Sequence, residues 1–119
     1  LSPTRDFNYV TDTARGMLAL ALSSGMDGEV LNIGTGEEWS IAETVDMLCE
    51  ICGRDVEIIT DEDRIRPEKS EVNRLLADNS KIEKMTKWKS EIPFSKGLEQ
   101  SYYWIEKNIE YFDVDTYSK

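Results

Sequence analysis

Glu29-Val30-Leu31-Asn32-Ile33 runs into Gly34-Thr35-Gly36, and a second pattern then opens at Ser40-Ile41-Ala42-Glu43. The first five residues form a short apolar run rich in β-branched side chains, which reads as a buried strand. The glycines break it and turn the chain. Ser40 and Glu43 stand at capping-box spacing: the serine hydroxyl takes one orphan N–H of a helix and the glutamate reaches back to another. The helix so opened carries Ile41, Val45, Leu48 and Cys52 on one face, and Gly53 stands where a left-handed C′ residue closes a helix. Strand, turn and helix in succession predict an α/β layer structure.

Working outward, Arg5 to Val10 alternates polar and apolar residues in a short β-like stretch. Thr11 or Asp12 is the expected cap of a helix whose stripe is Ala14, Met17, Leu18 and Ala21, and Ser23-Ser24-Gly25 ends it. Downstream, Val56 to Thr60 reads as a strand and Asp61 to Ser70 as a charged loop. Arg74 to Ala77 is expected to be extended, and Asp78 or Ser80 to start a short helix, followed by Trp88 as a packing anchor. Ser95 is the expected cap of a terminal helix with Leu98, Tyr102, Ile105, Ile109 and Phe112 in its stripe. The expectation is therefore a small sheet of short strands packed with three to four helices. Residues 1–112 form the folded part and 113–119 a polar tail. Three short strands are a thin scaffold for three long helices, which suggests a further sheet on which they dock.

Composition narrows the function. The chain has 119 residues, the size of one domain or part of one. Its 14 Lys+Arg against 24 Asp+Glu give a net charge of −10, which disfavours nucleic acid as a partner. The longest apolar run, Met17 to Leu22, is far short of the ~20 residues that span a bilayer, so no membrane partner is expected. Histidine is absent, which removes His-based nucleophile systems and His-ligated metals. Cys49 and Cys52 are the only cysteines. Without a second pair they do not complete a zinc site, and their place in a helical pattern predicts reduced, largely buried thiols rather than a redox motif. So few cysteines point to a cytoplasmic setting.

Two patterns imitate oxidoreductase chemistry. Gly34-x-Gly36 follows a strand and precedes a helix, but Trp39 stands where the dinucleotide fingerprint needs its third glycine. Tyr103 and Lys107 have the spacing by which a lysine lowers a tyrosine pKa, yet they lie on a terminal amphipathic helix with no nucleotide fold before them. The arginines carry more. Arg5, Arg64 and Arg66 lie at strand ends or in an irregular loop, and a guanidinium fork suits phosphate. The competing reading is surface ion pairing with Asp61, Glu62, Asp63 and Glu68.

Taken together, Thr4-Arg5-Asp6-Phe7-Asn8-Tyr9-Val10-Thr11-Asp12, then Leu31-Asn32-Ile33-Gly34-Thr35-Gly36, then Arg66-Pro67-Glu68-Lys69-Ser70-Glu71-Val72 and Leu75-Leu76-Ala77-Asp78 resemble, in order and spacing, the extended short-chain dehydrogenases/reductases that act on nucleotide sugars. Among these, the 4,6-dehydratases and 4-epimerases are the most similar. The resemblance implies the substrate-binding C-terminal lobe, with the Rossmann domain that holds NAD and does the hydride and proton transfer at sugar C4 absent from this chain. The opening Leu1 and the thin sheet fit a piece of something longer. By the same resemblance, no catalytic, NAD-binding or metal-binding residue is expected here. Arg5 and Arg66 match arginines that contact the diphosphate, Glu71 matches an acid on the ribose hydroxyls, and Ser40 matches a position facing the phosphates. For Ser40 the helix-cap reading stands beside it. The implied partner is a nucleotide-diphosphate sugar, and the full-length relatives are expected to be homodimers. The competing hypotheses are a self-standing, non-catalytic α/β interaction module and a Cys-x-x-Cys redox domain.

Overall fold

Helix α2 (Ile41–Cys52) is dictated at both ends by local sequence. The Ser40 hydroxyl accepts from the Glu43 N–H at 3.1 Å, and the Glu43 carboxylate accepts from the Ser40 N–H at 2.8 Å, so the capping box is complete. Gly53, at φ 64°, supplies the left-handed closing residue. The computed structural model describes residues 1–59 and 72–112. Within them, β1 (Thr4–Arg5) leads to α1 (Val10–Leu22), and β2 (Trp39–Ser40) leads directly into α2. Then follow β3 (Arg74–Leu75), α3 (Ser80–Thr86), α4 (Phe94–Lys107) and a 3₁₀ turn (Ile109–Tyr111).

The three short strands form one mixed sheet in the order β2-β1-β3. β1 is antiparallel to β2, with Thr4 opposite Ser40 and Arg5 opposite Trp39. It is parallel to β3, with Thr4 opposite Arg74 and Arg5 opposite Leu75. On one face Arg74 forks onto Glu38 at 2.8 Å, and the Thr4 hydroxyl donates to the same carboxylate at 2.8 Å. These hydrogen bonds, Arg74 first, hold the Glu38 carboxyl below its usual range. The network is solvent-facing, so it fixes register more than it stabilises.

α2 packs on α4, and α1 on α3. Ile82 of α3 and Trp88 are buried. Phe94 opens α4 and stacks between Phe7 and Trp39, with ring centroids 5.1 Å apart on each side. Trp88 is thus the anchor that its sequence position suggested.

Several local expectations change. Residues 6–9 are not strand, and α1 begins at Val10 with neither Thr11 nor Asp12 as cap, because the Asp12 side chain is committed elsewhere. Residues 29–33 and 56–59 form no ladder among the described residues, and residue 60 lies outside them. A strand pattern becomes a strand only when a neighbour supplies hydrogen bonds. The α1 stripe of Ala14, Met17, Leu18 and Ala21 is exposed rather than buried, and Gly16 is buried instead. α4 starts one residue before Ser95, which caps nothing, and it stops at Lys107, leaving Ile109 and Phe112 in or beyond the 3₁₀ turn. The short helix does start at Ser80, one of the two expected positions, with Asn79 as its N-cap residue and no side-chain cap. Residues 113–119, the expected tail, lie outside the described residues.

Candidate functional site

The middle strand holds Arg5. It is half-buried, and its Nη1 donates to the Thr4 carbonyl at 2.7 Å. Register places Arg5 beside Trp39 and Leu75, so the three residues share one face of the sheet.

The next residue, Asp6, organises what surrounds that strand. Its carboxylate accepts from the Thr35 N–H at 2.9 Å, the Thr35 hydroxyl at 2.7 Å and the Gly36 N–H at 3.0 Å. It also accepts from the Ala77 N–H, beyond β3, at 3.3 Å. The Gly-Thr-Gly turn therefore wraps an anion, but the anion is a side chain of this chain. Gly34 is buried against it: a Cβ there would lie 2.6 Å from Asp6 Oδ2. Gly36 takes φ 75°, which side chains resist, and Asn79 Nδ2 donates to the Gly34 carbonyl at 3.3 Å. One carboxylate thereby fixes the end of β1, the turn and the end of β3 together.

A second carboxylate locks α1 in place. Asp12 is fully buried. It accepts from the N–H groups of Glu91 and Ile92 and from the Ser90 hydroxyl, each at 2.9 Å, and from Arg15 Nη1 at 2.6 Å. Its own carbonyl accepts from Trp88 Nε1 at 3.1 Å. Burial pushes the carboxyl up, but the Ile92 and Glu91 N–H groups, Ser90 and Arg15 together hold it below the usual carboxylate range.

Ser40 sits at the α2 N-terminus, opposite Thr4 of β1. Its hydroxyl is engaged in the cap, and it also donates to Glu43 at 2.7 Å. Hydrogen bonds from the Ser40 side chain and backbone hold Glu43 below its usual range, so a negative charge rests on this helix end. Arg64, Arg66 and Glu71 lie outside the described residues. Tyr103 and Lys107 are exposed on α4. Cys49 and Cys52 are free thiols, half-buried rather than largely buried, and Cys52 Sγ donates to the Cys49 carbonyl at 3.6 Å. Among the described residues no cluster of His, Cys, Asp or Glu could hold a metal, and no helix is long and apolar enough to cross a membrane.

The sequence pattern of the GDP-mannose 4,6 dehydratase family matches residues 1–101, from before β1 into α4. The chain belongs to the GDP-mannose 4,6 dehydratase family. A dTDP-glucose 4,6-dehydratase from Actinoplanes sp. is 34% identical over 87% of this chain and 31% of its own length. A UDP-glucuronate 4-epimerase from Thermodesulfobacterium geofontis is 32% identical over 89% of this chain and 31% of its own. A crystal structure of UDP-glucuronic acid 4-epimerase from Bacillus cereus, in complex with UDP-glucuronic acid and NAD, superposes with a TM-score of 0.80 at 30% identity, over 90% of this chain and 33% of that one. The chain thus spans about a third of the relatives it matches, as a piece of an extended short-chain dehydrogenase/reductase. Its small mixed sheet with four helices is the fold that this family predicts.

In this family member the sequence pattern singles out Arg5 and Ser40, gives Asp6 no role and offers Asp12 only as a helix cap. For Asp6 a signal was present. A Gly-Thr-Gly turn exposes consecutive N–H groups that need an acceptor, and an acid directly follows β1. For Asp12 the local sequence carried only Arg15, because its loop partners Ser90, Glu91 and Ile92 are some eighty positions away.

Proposed function

We propose that this chain is the substrate-binding part of an NAD-dependent nucleotide-sugar 4,6-dehydratase or 4-epimerase. Arg5 and Arg66 grip the diphosphate, Glu71 takes the ribose hydroxyls, and Ser40 faces the phosphates from the α2 cap. The observation that carries this reading is Arg5 on the middle strand, inside the segment that matches the family. Its neighbours Asp6 and Thr4 are each tied to other segments, so the backbone under the guanidinium is rigid before any ligand arrives. A preorganised fork loses little entropy on binding an anion. Glu38 and Glu43 carry the negative charge nearby and are both satisfied by hydrogen bonds of their own.

Hydride and proton transfer belong to further residues of a longer polypeptide, which would hold NAD, and the assembled enzyme is a homodimer. This chain by itself catalyses nothing and holds no NAD. Titrating it with NAD by calorimetry gives no saturable heat. A micromolar site would overturn the division of labour.

In the full-length enzyme Arg66→Ala raises KM for the nucleotide sugar by roughly 10–100-fold with kcat little changed, the effect of losing a charge-assisted contact made equally in ground and transition states. Arg5→Ala behaves alike, and Arg66→Lys recovers only part, because an ammonium lacks the fork. Arg54→Ala, exposed just beyond α2, leaves KM unchanged. Steady-state kinetics with a melting curve for each variant checks this. An unchanged KM in Arg66→Ala, or the same loss in Arg54→Ala, removes the assignment.

A further inference from the structure

Arg5 stands inside a closed circuit of contacts. The antiparallel ladder pairs it with Trp39, and directly opposed residues point to the same face of a sheet. The Trp39 ring stacks on Phe94, with centroids 5.1 Å apart and planes 26° from parallel. Phe94 stacks in turn on Phe7, at 5.1 Å and 21°. Phe7 lies two residues along the chain from Arg5, so the circuit ends where it began. Phe94, the buried middle ring, opens α4. The backbone on either side of Trp39 is fixed as well. Glu38, before it, accepts from Arg74 and from Thr4 at 2.8 Å, and Ser40, after it, is held by the capping box of α2. Trp39 Nε1 is buried without a hydrogen-bond partner, so the indole is held by packing. The two flanks of Arg5 therefore differ. A stacked, half-buried ring stands on the β2 side, whereas Leu75 on the β3 side is 54% exposed.

We propose that Trp39 is a positioning residue for Arg5: its stacked indole is a side wall that limits the rotamers of the arginine and holds the guanidinium ready for an anion. The inference rests on the reading of Arg5 as a diphosphate residue. The Cβ atoms of directly opposed residues lie about 4.5–5.5 Å apart, so a ring as broad as an indole fills space into which the arginine stem would otherwise swing. Freezing one rotamer-rich side chain on binding weakens a complex by roughly three- to tenfold. A wall present before the ligand arrives removes part of that loss. With its N–H buried, the indole acts through Arg5 and not by donating to the ligand.

A double-mutant cycle in the full-length enzyme tests this. Trp39→Ala raises KM for the nucleotide sugar roughly three- to tenfold with kcat little changed. Trp39→Phe keeps a stacked ring and removes only the unpaired N–H, and it stays within about twofold of the parent. In an Arg5→Ala background Trp39→Ala has no further effect on KM, because a residue that acts through Arg5 has nothing left to act on. The same rise in both backgrounds overturns the proposal, since Trp39 would then act independently of Arg5. So does an unchanged KM in Trp39→Ala where Arg5→Ala raises it, an outcome that leaves the diphosphate reading standing. If Arg5→Ala itself leaves KM unchanged, the diphosphate reading falls. The NMR order parameter of the Arg5 Nε–H bond then decides about the wall: it drops in Trp39→Ala, and an unchanged value overturns the proposal. Melting curves set a temperature at which every variant is folded. Should Trp39→Ala not fold, Trp39→Leu keeps apolar bulk without the stacked plane and takes its place in the cycle.

Discussion

Asp12→Ala lowers the unfolding free energy by about 3–5 kcal/mol, the cost of breaking a buried charged network from one side. The substitution strips a fully buried acceptor from the part-buried N–H groups of Glu91 and Ile92 and from the Ser90 hydroxyl. Arg15 is left with Glu91 and the Lys89 carbonyl, so its charge keeps partners and the loss falls on the loop. Asp12→Asn keeps the shape and recovers part. Urea unfolding, with the slope unchanged, measures the loss, and Asp46→Ala, exposed on α2, stays within about 0.5 kcal/mol of the parent. A loss below about 1 kcal/mol in Asp12→Ala would mean that the loop is held by the Trp88 ring alone. The same pair of proteins reads out pH. Asp12 is held below its unfolded value of about 3.9, so its stabilisation is complete above that value and disappears as pH falls through the lower, folded one. The gap between parent and Asp12→Ala is therefore flat from neutral pH down to about 5 and narrows below about 4.

Asp6→Ala costs about 2–4 kcal/mol, because four donors lose one acceptor together. The site is half-buried, so water replaces some of these bonds, which keeps the figure below that for Asp12. The effect spreads. The amides of Gly36 and Ala77 lose protection, and in the full-length enzyme KM for the nucleotide sugar rises although Asp6 bonds this chain's own turn, because Arg5 is the adjacent residue. Asp6→Asn keeps an oxygen toward the turn and recovers roughly half. Exchange at Gly36 and Ala77 is the decisive measurement; if both stay protected in Asp6→Ala, the turn holds itself.

What was legible in the sequence divides by the range of the forces. α2 was readable to the residue, since Ser40, Glu43 and Gly53 act within one turn of the helix. Trp88 was readable because a large aromatic after a short helix has few places to go except inward. Residues 29–33 were read as a buried strand but form no ladder among the described residues, because an apolar run specifies burial and not a neighbour. The α1 stripe was read as core because its period is right, but period does not say whether a neighbour covers the stripe, and here it is exposed. Asp12 looked like a cap because it stands at a helix start, and only the tertiary fold brings Ser90 to Ile92 within reach of it. At the candidate site, the motif pointed to Arg5 as a candidate, whereas it said nothing of the Asp6 bonds that tie the end of β1 to the turn and to Ala77.

The middle strand also sets an order of events during synthesis. Thr4 and Arg5 leave the ribosome before the residues opposite them on β2 and β3, which emerge about 35 and 70 positions later. At ~5–20 residues per second, the first strand waits seconds for its second neighbour. α2, closed by its own cap, is complete well before that. The sheet is therefore completed only after α1 and α2 have emerged, and a pause in translation shortly before Arg74 lengthens the time for which the backbone edges of Thr4 and Arg5 stand open.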